Sequence, residues 1–208
     1  ILNAFGTIDA NWLNLSELEI DDEADGINSP NPNPTKCVFN VNELELFIRS
    51  VLAIDWFLKR VDLAQSQVEL EISFDVDPNS LEVLERLNGA TISTLTLSNI
   101  ENLGSLECKM FREGPLLDVL SILNNNAAVP MMSNQIIQSI IDKRWKALDI
   151  PIAIWEELMR PDNQPKYLTA DILTICMTSS QIHTLSIVEG NRSRARALTI
   201  DFDDEDPC

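Results

Sequence analysis

Aliphatic and polar residues alternate along the chain in a recurring six-residue pattern. Large aliphatic residues hold the first, fourth and sixth places, with a cysteine in the last place of one copy. Alternate side chains of a strand face opposite ways, so each copy predicts a strand with one aliphatic and one polar face. The four copies lie at residues 15–20, 92–97, 103–108 and 182–187, and two shorter relatives lie at 68–72 and 197–200.

The alternation predicts strands, with residues 168–177 left open between helix and strand because both periods fit them. The predicted strands cover residues 12–23, 68–74, 92–97, 103–111, 182–188 and 197–202.

Apolar residues spaced three and four apart predict the helices. The first long helix is expected at 41–61, where Asn40 and Glu43 have the spacing of a capping box. Ser133 is expected to cap a helix that runs to about Leu148. The remaining predicted helices cover residues 79–87, 116–123 and 150–159.

Residues 68–97 read as strand, helix and strand, a connection that favours parallel pairing. We therefore expect an α/β fold with a mostly parallel sheet of irregular strand–helix units, in one domain spanning residues 1–208. Proline-rich residues 24–37 are expected to form an exposed loop, and proline-flanked residues 161–165 another. Residues 201–208 are expected to form a solvated acidic tail.

Charge narrows the range of partners. The formal net charge is -18, which would repel phosphates and argues against nucleic-acid binding, whereas a basic protein partner is permitted. No apolar run reaches the roughly 18 residues that span a bilayer, so we expect no membrane partner. No signal peptide is visible, and we expect a cytoplasmic protein. The chain begins at Ile1, and we expect it to be a fragment.

The four cysteines are dispersed, with no Cys-x-x-Cys and a single histidine, His183, in the chain. A zinc site needs closely spaced ligand pairs, so no structural zinc is predicted. Reduced, partly buried thiols fit the aliphatic surroundings of Cys108 and Cys176, although two disulfides in a secreted protein stay open as an alternative.

Catalytic and cofactor motifs are missing from the sequence. Residues 75–79 begin like a calcium loop, but Ser80 and Arg86 stand where that loop needs Gly and Glu. There is no Gly-x-Ser-x-Gly elbow and no phosphate-binding glycine loop. We expect no cofactor and no metal, and we favour a non-catalytic protein-interaction module. The alternative is a hydrolase-type enzyme whose carboxylate and serine site no motif marks.

Two sets of residues are candidate protein-binding sites. The polar residues between the aliphatics of the strands should face outward, where their carboxylates would steer a basic segment. A basic island with a tryptophan is the second candidate, because Arg and Trp are common interface anchors. The first set is Glu17, Glu19, Glu69, Glu71, Ser93, Thr94, Thr96, His183, Thr184 and Ser186, and the second is Lys143, Arg144, Trp145 and Lys146.

The segments 68–74, 81–87, 92–100 and 182–187 together resemble the leucine-rich-repeat-like C-terminal halves of F-box proteins. The resemblance covers about a quarter of the chain, and no F-box helices with a Leu-Pro start are present. It implies a module that recruits substrates to a ubiquitin ligase.

Overall fold

The computed structural model describes residues 6–15, 36–48, 51–73, 81–87, 90–98, 103–113, 117–123, 129–160, 167–178, 181 and 193–203. Within them the strands are β1 Thr7–Leu15, β2 Cys37–Ile48, β3 Val61–Asp62, β4 Gln67–Ser73, β5 Thr91–Ser98, β6 Val119–Leu123, β7 Arg144–Pro151, β8 Leu168–Thr178 and β9 Ser193–Asp203. The helices are α1 Val51–Leu58, α2 Lys109–Glu113, α3 Asn134–Asp142 and α4 Ile152–Leu158, with a 3-10 helix at Glu82–Leu87.

The strands form one sheet whose spatial order follows the chain, β1-β2-β4-β5-β6-β7-β8-β9, with the short β3 beside β2. Every strand pair among the described residues is parallel. The predicted α/β class with a mostly parallel sheet is therefore confirmed. The predicted neighbours 68–74 and 92–97 are β4 and β5, which pair in parallel.

A single row of leucines crosses the sheet in register. The row is Leu15, Leu46, Leu70, Leu95, Leu120, Leu148, Leu173 and Leu198, one from each strand except β3. Subtracting neighbouring residue numbers gives 24 or 25 at five of the seven steps. The six leucines from Leu46 to Leu173 are at most 1% exposed, so this row lies at the centre of the core.

The six-residue pattern is present in the sheet, but mostly at other positions than predicted. Only the copy at 92–97 lies in a strand as expected. The copy at 103–108 is not a strand, since its one bridge joins Ser105 to Met131 before α2 begins. Residues 16–20 and 182–187 lie outside the described residues. The last four strands carry the pattern, or a variant of it, at 117–122, 145–150, 170–175 and 195–200. In the last three of these segments the first place is held by Trp145, Ala170 and Ala195.

The helix predicted at 41–61 is wrong over its first half, which is strand β2, and right only for α1. Asn42 and Glu43 are both exposed between the buried Val41 and Leu44. This pair shifts the alternation by one residue, so apolar residues fall three apart and imitate a helix. Asn40 does not cap a helix, since its amide donates to Asp9 at 2.9 Å.

The same spacing misled two further predictions. Within the helix predicted at 116–123, residues 119–123 form strand β6 instead, although Leu117 and Leu120 are three apart. The helix predicted at 133–148 splits into α3 and β7, with the extended residue Lys143 between them. The capping role of Ser133 is confirmed, because its side chain accepts from the Ile136 N–H.

Most of the shorter predicted elements that the structure describes have the predicted type, helix or strand. Residues 168–177 form a strand, β8, and 197–202 lie in β9. The helix predicted at 150–159 contains α4. The one predicted at 79–87 is a 3-10 helix over Glu82–Leu87, and the buried Leu81, Leu84 and Leu87 have a matching period of three. Among the tail residues, Asp201 to Asp203 continue strand β9. Most of the predicted loop 24–37, the loop 161–165 and the strand 182–188 lie outside the described residues.

The helices and the leucine row share one hydrophobic core. Ile136, Ile137, Ile140 and Ile141 of α3 and Trp155 of α4 are buried in it together with the strand aliphatics. The helical layer therefore covers one side of the sheet, and the alternate residues of the strands face the other side. No helix in the described part of the chain has the length and apolar character that a membrane span requires.

Candidate functional site

The side of the sheet opposite the leucine row, here called the open face, carries two rows of side chains in register. These rows lie immediately before and after the leucines, so strand geometry turns them away from the core. The first is Asn14, Glu45, Glu69, Thr94, Val119, Ala147, Ile172 and Ala197. The second is Phe47, Glu71, Thr96, Ser121, Asp149, Thr174 and Thr199.

Four of the predicted binding residues meet on this face. Glu69 pairs in register with Thr94, and Glu71 with Thr96, on the neighbouring strands β4 and β5. Glu71 is exposed and the other three are half-buried. Glu17, Glu19, His183, Thr184 and Ser186 lie outside the described residues.

Carboxylates gather at the β2–β4 end of the open face. Oxygens of Glu43, Glu45 and Glu69 lie within 4.8 Å of one another. The pKa of Glu69 is raised above its usual value, first by burial and then by the negative charges of Glu43 and Glu45. Partial burial and mutual repulsion thus favour a proton, or a cationic partner, at this point.

Glu45 is also held in place from the edge strand. The Trp12 indole N–H donates to one of its carboxylate oxygens at 2.9 Å, and the Asn14 amide donates to the other. Sequence reasoning missed Glu43 and Glu45 because it assigned them to a helix. Their alternation with Leu44 and Leu46 was the signal for a strand.

The open face changes character from β4 to β9. Hydroxyl groups follow the carboxylates, with the Ser98 hydroxyl 3.5 Å from Glu71 and the Ser121 hydroxyl donating to Asp149 at 3.2 Å. Apolar groups follow in the first row at Val119 and Ile172, the latter 48% exposed. The face is therefore acidic at one end and partly apolar at the other.

The basic island does not form one surface. It lies around the start of β7, where Lys143 and Trp145 point inward and Arg144 and Lys146 point outward. The Trp145 indole N–H donates to the carbonyl of Ile140 at 3.0 Å, so this tryptophan is a core residue.

The two exposed cations of the island are paired within the chain. Arg144 donates to the Asp171 carboxylate at 2.8 Å, and Lys146 forms an ion pair with Asp118. The hydrogen bond to Arg144 lowers the pKa of Asp171 and raises that of Arg144. Both cations are thus paired with carboxylates, one on the adjacent strand β8 and one immediately before β6.

A cavity of about 370 Å³ lies between α2 and α3, in the helical layer. It is lined by Phe111, Arg112, Gln135, Gln138, Ser139, Asp142 and Lys143. Asp142 is the one carboxylate in this lining, so the acidic cluster of the open face does not converge on the cavity.

Cys37, Cys108 and Cys176 are buried, and Cys37 and Cys108 are free thiols. Burial raises the pKa of the Cys108 thiol, which disfavours the nucleophilic thiolate. Cys208 lies outside the described residues.

Comparison of the chain with protein-family models, curated proteins and solved structures finds no match.

Proposed function

We propose that the chain is a non-catalytic protein-interaction module of the leucine-rich-repeat-like kind, and that its open face binds a protein partner. The supporting observation is the leucine row, whose usual step of 24 or 25 residues falls within the roughly 20–29 residues of such repeats. Stacked repeats of this kind bury a continuous core and leave an extended face for binding.

The partner's chemistry follows from the grading of the open face. Glu43, Glu45, Glu69 and Glu71 attract basic side chains, and the net charge of -18 strengthens that attraction at long range. Ile172 lies five strand spacings from Glu45, or about 24 Å at roughly 4.8 Å per strand. The partner proposed here has a basic segment at one end of its contact surface and apolar side chains at the other.

The resemblance to F-box proteins gives this module a narrower role. We propose that it recruits substrates for a ubiquitin ligase, with a basic region of the substrate held at the acidic end. We place this role in the cytoplasm, where buried free thiols such as Cys37 and Cys108 stay reduced.

Reversing two charges of the acidic end tests the proposal. The partner is first identified by affinity purification and mass spectrometry, and its binding is then measured directly with purified components. Glu69→Lys together with Glu71→Lys should weaken binding at least tenfold, mainly through a slower on-rate that loses its salt dependence. Folding should survive, because Glu71 is exposed and Glu69 is only half-buried on the face away from the core, and surface substitutions usually cost within about 0.5 kcal/mol.

The matched control compares two single substitutions of equal charge change. Glu71→Lys lies on the open face, whereas Glu156→Lys lies on α4 in the helical layer. Only Glu71→Lys should weaken binding if the open face is the site. Equal effects of the two variants would mean that Glu71 influences binding only through the net charge of the protein. Turnover of a substrate in a hydrolase panel, with no partner recovered, would favour an enzyme instead.

A further inference from the structure

Strand β9 leaves apolar side chains uncovered at the end of the sheet. Its Leu198 and Phe202 face the core side and are 48% and 41% exposed. Their register partners on β8, Leu173 and Met177, are both 0% exposed. The same rows of the core are thus closed at β8 and open at β9.

Charge is divided along this strand. Arg194 and Arg196 lie in its first half and Asp201 in its second, and all three are exposed. An antiparallel copy of β9 would set the basic half against the acidic half twice, once on each side of the symmetry axis. A parallel, in-register copy would set arginine beside arginine, and such like-charge neighbours destabilise strand pairs.

We propose that β9 pairs antiparallel with β9 of a second copy of this chain, giving a two-fold symmetric dimer with one continuous sheet. A two-fold axis perpendicular to the sheet keeps each face on its own side. With Thr199 opposite Thr199, Leu198 lies opposite Ile200 of the second copy on the core side. Ala197 then lies opposite Asp201 of the second copy, and Arg196 is one residue away from that carboxylate.

The pairing has a structural consequence for the open face. Both copies present their open faces on the same side of the joined sheet, with the acidic ends at the two outer positions. The edge pairing uses the backbone of β9, whereas the acidic end of the open face lies at β2 and β4, at the far side of the sheet. The dimer can therefore be tested separately from the protein-binding function proposed above.

Mass measurement with charge-swapped variants tests the dimer. Light scattering after gel filtration at about 0.15 M salt, where charges are screened beyond roughly 8 Å, should give twice the 23.4 kDa of one chain. Arg196→Asp and Asp201→Arg should each raise the dimer dissociation constant at least tenfold, and the double variant should recover most of that loss. Lys59→Asp, an exposed change on the turn after α1, should leave the dimer intact.

A monomer at micromolar concentration, or a dimer unaffected by either single variant, would overturn the proposal. Oligomers larger than a dimer would also overturn it, because one edge strand closes with one partner. Arg196 lies 3.5 Å from Asp171 of its own chain, so melting curves of each variant separate a loss of pairing from a loss of folding.

Cysteine cross-linking checks the register without altering charge. In a Cys208→Ser background, Thr199→Cys should form an intermolecular disulfide on mild oxidation, because facing residues of antiparallel strands lie about 4.5–5.5 Å apart. Thr174→Cys is the control, since Thr174 is the register partner of Thr199 one strand inward. Equal cross-linking of the two variants, or none of the first, would contradict antiparallel pairing at β9.

Discussion

At the scale of single residues, Lys143 is a buried cation whose charge is incompletely compensated. It is 8% exposed, its amine makes no hydrogen bond, and the amine lies 4.3 Å from the centre of the Trp145 ring. Burial lowers the pKa of Lys143 to about 8, and Asp118 offsets only part of this effect. The attraction to the indole ring therefore does not replace the lost hydration.

The lowered pKa predicts a pH-dependent stability. The unfolded chain holds its lysine proton up to a pKa near 10.5, so between about pH 8 and that value the unfolded state binds more protons. The free energy of unfolding should therefore gain a contribution that rises with pH across this interval. Replacing Lys143 with Met should remove this rise and add about 1 kcal/mol at pH 7, at the low end for replacing buried ionic groups.

Urea denaturation of both proteins at pH 7 and pH 10 provides the measurement. Lys146→Met is the control, because Lys146 is exposed and paired with Asp118. A wild-type stability that changes no more with pH than that of Lys143→Met would show that the buried amine keeps an ordinary pKa.

At the scale of elements, the start of α3 is held by two hydrogen bonds of Ser133. The Ser133 hydroxyl accepts from the Ile136 N–H at 3.3 Å, and the Ser133 N–H donates to the Glu107 carboxylate at 2.7 Å. The second contact ties the helix to the connection between β5 and β6. This helix supplies four buried isoleucines, so its starting point sets the register of part of the core.

Removing the cap should cost measurable stability. Ser133→Ala should lower the free energy of unfolding by about 1 kcal/mol, the usual value for loss of an N-cap. Ser133→Asp should retain most of the stability, because its carboxylate can accept from the same N–H. Thermal unfolding of the wild type and the two variants measures these stabilities. An equal loss of stability in both variants would mean that the Ser133 hydroxyl does not cap the helix.

At the scale of the whole molecule, the leucine row makes stability depend on position in the sheet. Leu120 is 0% exposed in the middle of the row, and Leu198 is 48% exposed at its end. The same chemical change should therefore have unequal effects, since the penalty follows the apolar area and the cavity left behind.

Alanine substitutions along the row measure this gradient. Leu120→Ala should lower the free energy of unfolding by about 2–5 kcal/mol, and Leu198→Ala by roughly 1 kcal/mol or less. Chemical denaturation of dilute, monomeric protein gives both values. Equal losses would mean that the sheet is covered at β9 as completely as at β6.

The aliphatic alternation was enough to predict the strand at 197–202. Together with the strand–helix–strand order of residues 68–97, it also predicted the α/β class and the parallel pairing of 68–74 with 92–97. The outward residues Glu69, Glu71, Thr94 and Thr96 also followed from it, because side-chain direction in a strand depends only on parity. These features are local, so a single sequence contains them.

Tertiary structure decided between helix and strand where the local pattern fits both. An aliphatic pair three residues apart, such as Val41 and Leu44 or Leu117 and Leu120, fits a helix turn and the first step of the strand hexamer equally well. Conversely, residues 103–108 carry the hexamer, yet they lie in the connection between β5 and β6. Pairing with a neighbouring strand determines which conformation forms. A hexamer gains inter-strand hydrogen bonds and buried leucine contacts only where another strand of the sheet lies beside it.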